Sequence, residues 1–162
     1  DSAFVKDPTK SGGRETAWHQ DWPHTRGLDR RGMMSMWIAI FDVPEQSGCL
    51  KFVPRSHRIG PLGRLDIDGE TYDLPDILRK EDFDIVGAPL AVPLQAGEAT
   101  VHDGLTLHGA GLNLSDSPRI GWVNVFTPAT TKWNGAPFPV EHLNTLGLQM
   151  LEPIDHPDLR VD

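Results

Sequence analysis

The chain has 162 residues, of which 38% are hydrophobic and 23% charged, an ordinary balance for a single globular domain. Its formal net charge is −8 and it contains no basic run, which argues against a nucleic-acid partner and means that an anionic ligand would need a local cation. No apolar run approaches the roughly 18–20 residues that span a bilayer. The single cysteine, Cys49, excludes an intramolecular disulfide, so we expect a cytoplasmic protein without a membrane partner.

Glycine and proline punctuate the first third of the chain and predict short elements joined by turns. A short strand is predicted at 3–5 and a polar loop at 9–13. The apolar run at 33–43 is predicted as a strand, because β-branched and aromatic residues are enriched in it. A turn at 45–48 separates it from a second strand at 49–54.

The middle of the chain has a different character. Residues 58–89 are charged and interrupted by Gly and Pro, so we predict a long excursion from the sheet that shapes the substrate pocket, with one helical turn at 76–80. The remaining predictions are strands at 90–94, 99–107 (broken at Asp103-Gly104) and 120–126, turns at 95–98 and 113–118, and a helix at 140–151. Short strands without regular intervening helices predict a mainly β fold, and we expect a cupin-like double-sheet jelly roll. Strand counting alone does not separate this fold from an immunoglobulin-like sandwich.

The first cluster of chemically competent residues is Trp18-His19-Gln20-Asp21-Trp22. In an extended segment, residues two apart point to the same side, so His19 and Asp21 would present two ligands on one face. With a distant histidine they would form the two-histidine, one-carboxylate set of non-haem iron(II) oxygenases. A bare His-x-Asp also occurs by chance as a surface histidine beside a solvated aspartate. The flanking tryptophans favour a lined pocket.

The third ligand is predicted to be His108, which lies in a strand pattern followed by small residues. His102, on the same parity, and His24, three residues after Asp21, are the competing candidates, and a satisfied core histidine is the simpler interpretation. His108 is preferred because Arg119 follows it across a turn, and a hairpin would place the two on neighbouring strands. A guanidinium there would bind a carboxylate through two hydrogen bonds, which suits the distal carboxylate of 2-oxoglutarate.

Together these features resemble the phytanoyl-CoA dioxygenase family. The resemblance covers roughly residues 4–128 and depends on several joined stretches rather than on one motif. The stretches are Trp18-His19-Gln20-Asp21-Trp22, Trp37-Ile38-Ala39-Ile40-Phe41-Asp42, Gly48-Cys49-Leu50-Lys51-Phe52-Val53-Pro54-Arg55-Ser56-His57, Gly97-Glu98-Ala99-Thr100-Val101-His102, Leu107-His108-Gly109-Ala110-Gly111 and Asn113-Leu114-Ser115-Asp116-Ser117-Pro118-Arg119.

The resemblance implies a double-stranded β-helix that binds iron(II), uses 2-oxoglutarate and dioxygen, and acts on a small organic substrate. The residues that it assigns are His19, Asp21 and His108 as metal ligands, Arg119 at the 2-oxoglutarate carboxylate, and Gln20 and Trp37 as lining of the co-substrate pocket. Halogenating relatives lack the carboxylate ligand, so the presence of Asp21 predicts hydroxylation.

Two features depart from the family pattern. Only eighteen residues precede the His-x-Asp motif, so we expect residues 1–162 to be one catalytic core without the upstream elements of a full domain. One sheet would then expose an edge or a face that a missing segment or a second copy completes. Arg55 also stands where the family usually has glycine. The alternative functions are a cupin-like metalloenzyme that does not use 2-oxoglutarate and a non-catalytic jelly-roll binding domain.

Overall fold

The computed structural model of the protein describes residues 2–25, 27–28, 32–62, 73–138, 141–154 and 156–159. Its strands form two four-stranded sheets, with the orders β1-β8-β3-β6 and β2-β7-β4-β5, and every neighbouring pair is antiparallel. The strands are β1 (Ser2–Lys6), β2 (Thr16–His19), β3 (Met34–Ala39), β4 (Leu50–Phe52), β5 (Leu90–Val92), β6 (Ala99–Asp103), β7 (His108–Ala110) and β8 (Arg119–Phe126). The prediction of a mainly β jelly roll is confirmed.

Two predicted strands differ from the structure because the chain changes direction inside them. The strand expected at 33–43 ends at Ala39, and Val43 pairs instead with Leu94, whose carbonyl accepts from the Val43 N–H at 2.7 Å. The strand expected at 99–107 ends at Asp103 as β6, and 104–107 form the turn to β7, which belongs to the other sheet. The turn between them is closed by Asp103, whose side chain and backbone oxygens accept from Leu105 at 2.7 Å and Thr106 at 2.8 Å.

Helical segments are short. The predicted turn at 76–80 corresponds to α1 (Leu74–Ile77), which begins two residues earlier because the Asp76 carboxylate accepts from the Asp73 N–H at 3.2 Å. The 3₁₀ helices are Thr9–Ser11, Trp22–His24, Glu45–Ser47, Ser56–Ile59, Lys80–Asp84, Glu141–Thr145 and Pro157–Leu159. None of the described helices is long and apolar enough to cross a membrane.

The helix predicted at 140–151 is wrong. Val140 lies outside the described residues, and the segment that follows forms only the 3₁₀ helix Glu141–Thr145. The Asn144 amide exchanges two hydrogen bonds with the backbone of Phe138, at 2.8 and 3.0 Å, which competes with a continuous helix. Gly147 then adopts a positive φ of 68°, a conformation that stops a helix.

The core consists of two apolar clusters. One contains Trp37, Ala39, Val43 and Cys49, and lies between the sheets. The other contains Val53, Leu78, Val86 and Leu107. Because Leu78 and Val86 belong to it, part of the predicted excursion at 58–89 is packed against the sheet; residues 63–72 of that excursion lie outside the described part.

The two faces of the first sheet differ in a way that locates the site. Its inner face buries polar and charged side chains, which are Lys6, Ser35, His102 and Arg119. Buried charges are uncommon unless they are paired or hold a ligand. Its outer face carries exposed apolar residues, with Val5 58% and Val101 52% exposed. The expectation that another segment or a second copy covers this outer face stays a prediction.

Arg55, the departure from the family glycine, has φ 67° and ψ 3°. This is the left-handed region, which costs a residue with a Cβ about 1–2 kcal/mol. The backbone therefore supplies the physical reason for a glycine at this position.

Candidate iron and 2-oxoglutarate site

Three predicted ligands meet at the junction of β2 and β7. His19 ends β2, His108 begins β7, and the two are directly paired in the antiparallel ladder, with ring centroids 4.2 Å apart. Asp21 reaches them differently from the prediction, because it is not extended. Its φ of −71° and ψ of −37° begin the 3₁₀ helix Trp22–His24, and this turn brings its carboxylate back to the histidines.

The ligand atoms form a compact group. Oδ1 of Asp21 lies 3.5 Å from Nε2 of His19 and 3.6 Å from Nε2 of His108, and one ligand atom from each residue falls within 4.8 Å of the others. Both histidines are buried. These separations are at or just beyond the limit of a hydrogen bond, and they are of the size that a small cation between three ligands would span.

Hydrogen bonds on the far side of each ring support this interpretation. Nδ1 of His19 lies 2.8 Å from the Ala17 carbonyl, and Nδ1 of His108 lies 2.9 Å from the Thr106 carbonyl. A carbonyl only accepts, so Nδ1 carries the proton in each neutral ring and Nε2 carries a lone pair. Two lone pairs and a carboxylate oxygen then converge, an arrangement that a divalent cation stabilises. The donor set fits iron(II).

The titration behaviour is consistent with neutral imidazole beside carboxylate. Burial lowers the pKa of His108 to about 3, although the Asp21 carboxylate acts in the opposite direction. Burial by itself would raise the pKa of Asp21. The neighbouring His108 and hydrogen bonds, including those from His102 and Ser35, outweigh burial and hold the Asp21 pKa well below its usual range.

The structure separates His108 from its competitor His102. Nε2 of His102 lies 3.2 Å from Oδ2 of Asp21, the oxygen turned away from the triad, and Ser35 Oγ donates to the same oxygen at 2.5 Å. Among the residues that the structure describes, the ligand cluster consists of His19, Asp21 and His108. The side chain of His24, the other candidate, lies outside the described part.

Arg119 does not reach the site through a hairpin, so that part of the sequence argument is wrong. β7 and β8 lie in different sheets, and the turn between them carries the chain across the sandwich. Arg119 is buried, its guanidinium donates to the Gly48 carbonyl at 2.8 Å, and its Nε has no partner among the described atoms. Burial lowers the pKa of Arg119 to about 10, so it remains a cation at neutral pH.

Lys6 is a second buried cation that could bind an anionic co-substrate, and the sequence analysis did not predict it. It is directly paired with Arg119 between β1 and β8, and each is only 7% exposed. Its Nζ donates to the Arg14 carbonyl at 2.6 Å. Burial and the Arg119 charge lower the Lys6 pKa to about 8, partly offset by Glu15. The sequence feature that could have identified Lys6 is its position directly after the apolar run at 3–5.

The two cations form no ion pair with a carboxylate in the described part of the chain. Two adjacent buried positive charges are costly unless an anion neutralises them. A dicarboxylate such as 2-oxoglutarate therefore fits this end of the interior.

Trp37 and Gln20 have different surroundings. The Trp37 ring is buried and lies 5.0 Å from the Arg119 guanidinium carbon, and it covers Gly121 so closely that a Cβ there would be 2.0 Å from the ring. The Gln20 amide is occupied by backbone groups of Gly60, Leu62 and Leu105 at 2.7–3.0 Å. These bonds fix neighbouring loops. A co-substrate role for Gln20 stays a prediction that these contacts do not support.

A cleft of about 560 Å³ adjoins the triad, lined in part by Phe52, His57, Thr100, His102 and Thr106. The Phe52 ring is roughly parallel to His108, with centroids 5.9 Å apart. Two buried polar atoms of β6, Thr100 Oγ1 and His102 Nδ1, have no partner among the described residues. The lining of the cleft therefore combines the Phe52 ring with polar side chains.

Comparison with curated proteins finds relatives of the same kind. The chain is 30% identical over 127 residues to phytanoyl-CoA dioxygenase domain-containing protein 1 of Danio rerio, which covers 75% of the chain and 43% of the relative. It is 29% identical over 126 residues to an ectoine dioxygenase of Bordetella parapertussis, covering 70% and 40% respectively. The chain thus spans less than half the length of these two relatives.

Solved structures share the fold. The non-haem α-ketoglutarate-dependent carbocyclase SnoK from nogalamycin biosynthesis superimposes with a TM-score of 0.72 and 29% identity, over 95% of the chain and 57% of SnoK. The epimerase SnoN, solved in complex with Fe³⁺, α-ketoglutarate and nogalamycin RO, gives 0.70 and 27%, over 96% and 60%. SnoN thus contains the iron and α-ketoglutarate that the sequence analysis predicts as cofactors, and the triad of this chain offers three ligands that could hold a metal ion.

The model of the phytanoyl-CoA dioxygenase (PhyH) family matches residues 1–121, about three quarters of the sequence and a range that includes all three triad residues and both buried cations. The chain belongs to the phytanoyl-CoA dioxygenase family.

Proposed function

We propose that this chain is the catalytic core of an iron(II)- and 2-oxoglutarate-dependent dioxygenase, which hydroxylates a small organic substrate and converts 2-oxoglutarate to succinate and carbon dioxide. The observation that carries the proposal is the presence, between the same two sheets, of a three-ligand cation site and a buried cation pair without an anion. One co-substrate with a 2-oxo acid at one end and a carboxylate at the other satisfies both.

Each residue has a task in this proposal. His19, Asp21 and His108 hold iron(II) on one face and leave the other positions open. Bound iron(II) supplies the activation of dioxygen. Arg119 and Lys6 bind the distal carboxylate, and Trp37 restrains the guanidinium. The buried aromatic surroundings exclude water from the reacting groups.

The substrate is proposed to be a small molecule with a hydroxyl, amine or similar hydrogen-bonding group near the reacting carbon. The polar side chains of His57, Asp103 and Thr106 in the lining of the cleft support this class. The names of the relatives, an ectoine dioxygenase and an enzyme crystallised with nogalamycin RO, agree with small-molecule substrates. The proposal includes no nucleic-acid or membrane partner, allows a homo-oligomer and keeps a cytoplasmic location.

The structural neighbours favour a second possible reaction at the same site. SnoK is described as a carbocyclase and SnoN as an epimerase, and both depend on α-ketoglutarate. Ring closure or epimerisation is therefore the alternative to hydroxylation. Mass analysis of the product separates them, because hydroxylation adds one oxygen atom, epimerisation leaves the mass unchanged and oxidative ring closure removes two hydrogens.

The test is succinate formation from 2-oxoglutarate with iron(II) and ascorbate under air, without a prime substrate. We expect slow turnover by the wild type, a loss of at least about 100-fold in His108→Ala, and no loss in His142→Ala, an exposed histidine remote from the site. Equal turnover in His108→Ala contradicts the proposal. If the folded wild type forms no succinate, titrations with divalent metals and then, without oxygen, with 2-oxoglutarate decide. Failure to bind any divalent metal supports the non-catalytic alternative, and metal binding without 2-oxoglutarate binding supports a metalloenzyme that does not use 2-oxoglutarate.

A further inference from the structure

We propose that His102 and Ser35 are positioning residues that make Asp21 a one-oxygen metal ligand. They form hydrogen bonds with Oδ2 of Asp21, so that only Oδ1 faces His19 and His108. This inference rests on the proposed iron site, and it adds a function for two residues that do not belong to the ligand set.

The two oxygens of Asp21 have separate surroundings. Oδ2 receives Ser35 Oγ at 2.5 Å and His102 Nε2 at 3.2 Å. Oδ1 lies 3.5 Å and 3.6 Å from the Nε2 atoms of His19 and His108. One oxygen is therefore held by hydrogen bonds, and the other faces only ligand atoms among these contacts.

The two donors come from a single feature of the fold. Ser35 on β3 and His102 on β6 are directly paired across the antiparallel ladder, and both are buried. A one-residue slip of β6 in this register would turn His102 to the outer face and leave Ser35 alone at Oδ2, because alternate side chains point to opposite faces. Their joint presence at Oδ2 is therefore set by one strand pairing.

The proton on His102 is fixed by its partner. An ionised carboxylate can only accept, so the Nε2 of His102 carries the hydrogen and donates it. Its Nδ1 then has a lone pair with no partner among the described atoms. His102 also contributes to the lining of the cleft.

The restraint matters for the reaction class. A carboxylate free to rotate can bind a metal through both oxygens and thereby take a position that 2-oxoglutarate or dioxygen needs. Hydrogen bonds to metal ligands generally change metal affinity by 10–100-fold when they are removed. Holding Oδ2 preserves one-oxygen coordination and keeps the open face free.

The test uses variants that separate the donor from the ring. His102→Gln keeps an amide donor near the Nε2 position, His102→Phe fills the space without a donor, and Ser35→Ala removes the second donor. Met34→Ala, at the neighbouring position on β3 but on the opposite, exposed face, is the matched control. The readouts are anaerobic iron(II) affinity and the visible charge-transfer absorption that appears when 2-oxoglutarate chelates iron(II).

We expect about 10–100-fold weaker iron(II) binding and an altered absorption band in His102→Phe and Ser35→Ala. His102→Gln and Met34→Ala should stay within a few-fold of the wild type and keep its band. If His102→Phe does not fold, Ser35→Ala and the comparison of His102→Gln with the shorter His102→Asn carry the same test. Wild-type affinity and band in both Ser35→Ala and a folded donor-less His102 variant overturn this inference, while loss of iron in His108→Ala alone leaves the proposed function intact. No iron binding by the wild type overturns both.

Discussion

The two charged clusters inside the sandwich are built in opposite ways. At the triad, each ligand is restrained from behind: Ala17 and Thr106 carbonyls hold the rings, and Ser35 and His102 hold the carboxylate. At the cation pair, Arg119 retains an unpartnered Nε among the described atoms, and its charge together with burial lowers the Lys6 pKa. The triad is thus organised before its ligand arrives, whereas the cation pair needs an anion to become electrostatically complete.

This difference has a chemical meaning. A metal site gains affinity and selectivity from fixed ligand geometry. A co-substrate that must enter and leave at every turnover is bound more usefully by charges whose pairing is completed only on binding. The comparison predicts that variants of one cluster alter iron affinity and that variants of the other alter 2-oxoglutarate affinity.

The largest effect should come from Asp21→Asn. We expect iron(II) affinity to fall by at least about 100-fold. The metal-free variant should also be less stable than the wild type at neutral pH, because the Asp21 pKa lies well below its usual range and the fold therefore favours the ionised carboxylate. Thermal unfolding with and without iron(II) measures both quantities. An iron(II) affinity equal to that of the wild type would show that the carboxylate is not a ligand.

Variants of the Lys6–Arg119 cation pair should lower the affinity for 2-oxoglutarate rather than the affinity for iron(II). Arg119→Ala should weaken 2-oxoglutarate binding by about 2–4 kcal/mol, or roughly 30- to 1000-fold, and leave iron(II) affinity within a few-fold of the wild type. Lys6→Met should have a smaller effect in the same direction. Anaerobic titrations measure both affinities, and the double variant shows whether the two cations act on the same carboxylate. Equal losses of iron and 2-oxoglutarate binding in Arg119→Ala would mean that the clusters are not separate.

The pH dependence of 2-oxoglutarate binding sharpens the comparison further. The Lys6 pKa of about 8 means that the second positive charge is present below pH 8 and is lost as the pH rises through that value. The apparent KM for 2-oxoglutarate should therefore rise, by up to about tenfold, between pH 7 and 9.5, with the co-substrate a dianion throughout. Steady-state kinetics of Lys6→Met are the control, and a pH dependence that survives in this variant would assign the effect to another group.

The smallest effect is expected from Arg55→Gly, which lies outside both clusters. Glycine relieves a left-handed conformation but costs entropy in the unfolded chain, so the net gain in the free energy of unfolding is about 0.5 kcal/mol. Chemical denaturation measures it, and iron(II) and 2-oxoglutarate affinities should not change. A loss of stability would mean that the Arg55 side chain makes a contribution larger than its backbone strain.

Much of the site was predictable because two of its proposed metal ligands lie close together in the sequence. His19 and Asp21 are two positions apart, whereas Trp37 was predicted from the family resemblance, and Arg119 from the resemblance and from a hairpin that does not form. The helix expected at 140–151 failed for a local reason: the Asn144 side chain bonds to the Phe138 backbone and a left-handed Gly147 follows. Such competition between side chain and backbone is not visible in hydrophobic spacing.

The amino-acid sequence by itself determined the β-rich class, the His-x-Asp pair and the need for a cation to hold an anionic co-substrate, because these depend on local spacing and residue type. Only the tertiary structure decided between His102 and His108, since both have the same parity and differ in the sheet to which their strands belong. It also replaced the predicted hairpin with a crossing between sheets and brought Lys6 beside Arg119. Lys6 and Arg119 are 113 positions apart in the chain and are brought together by the pairing of β1 with β8. Long-range strand pairing of this kind cannot be predicted from local sequence patterns.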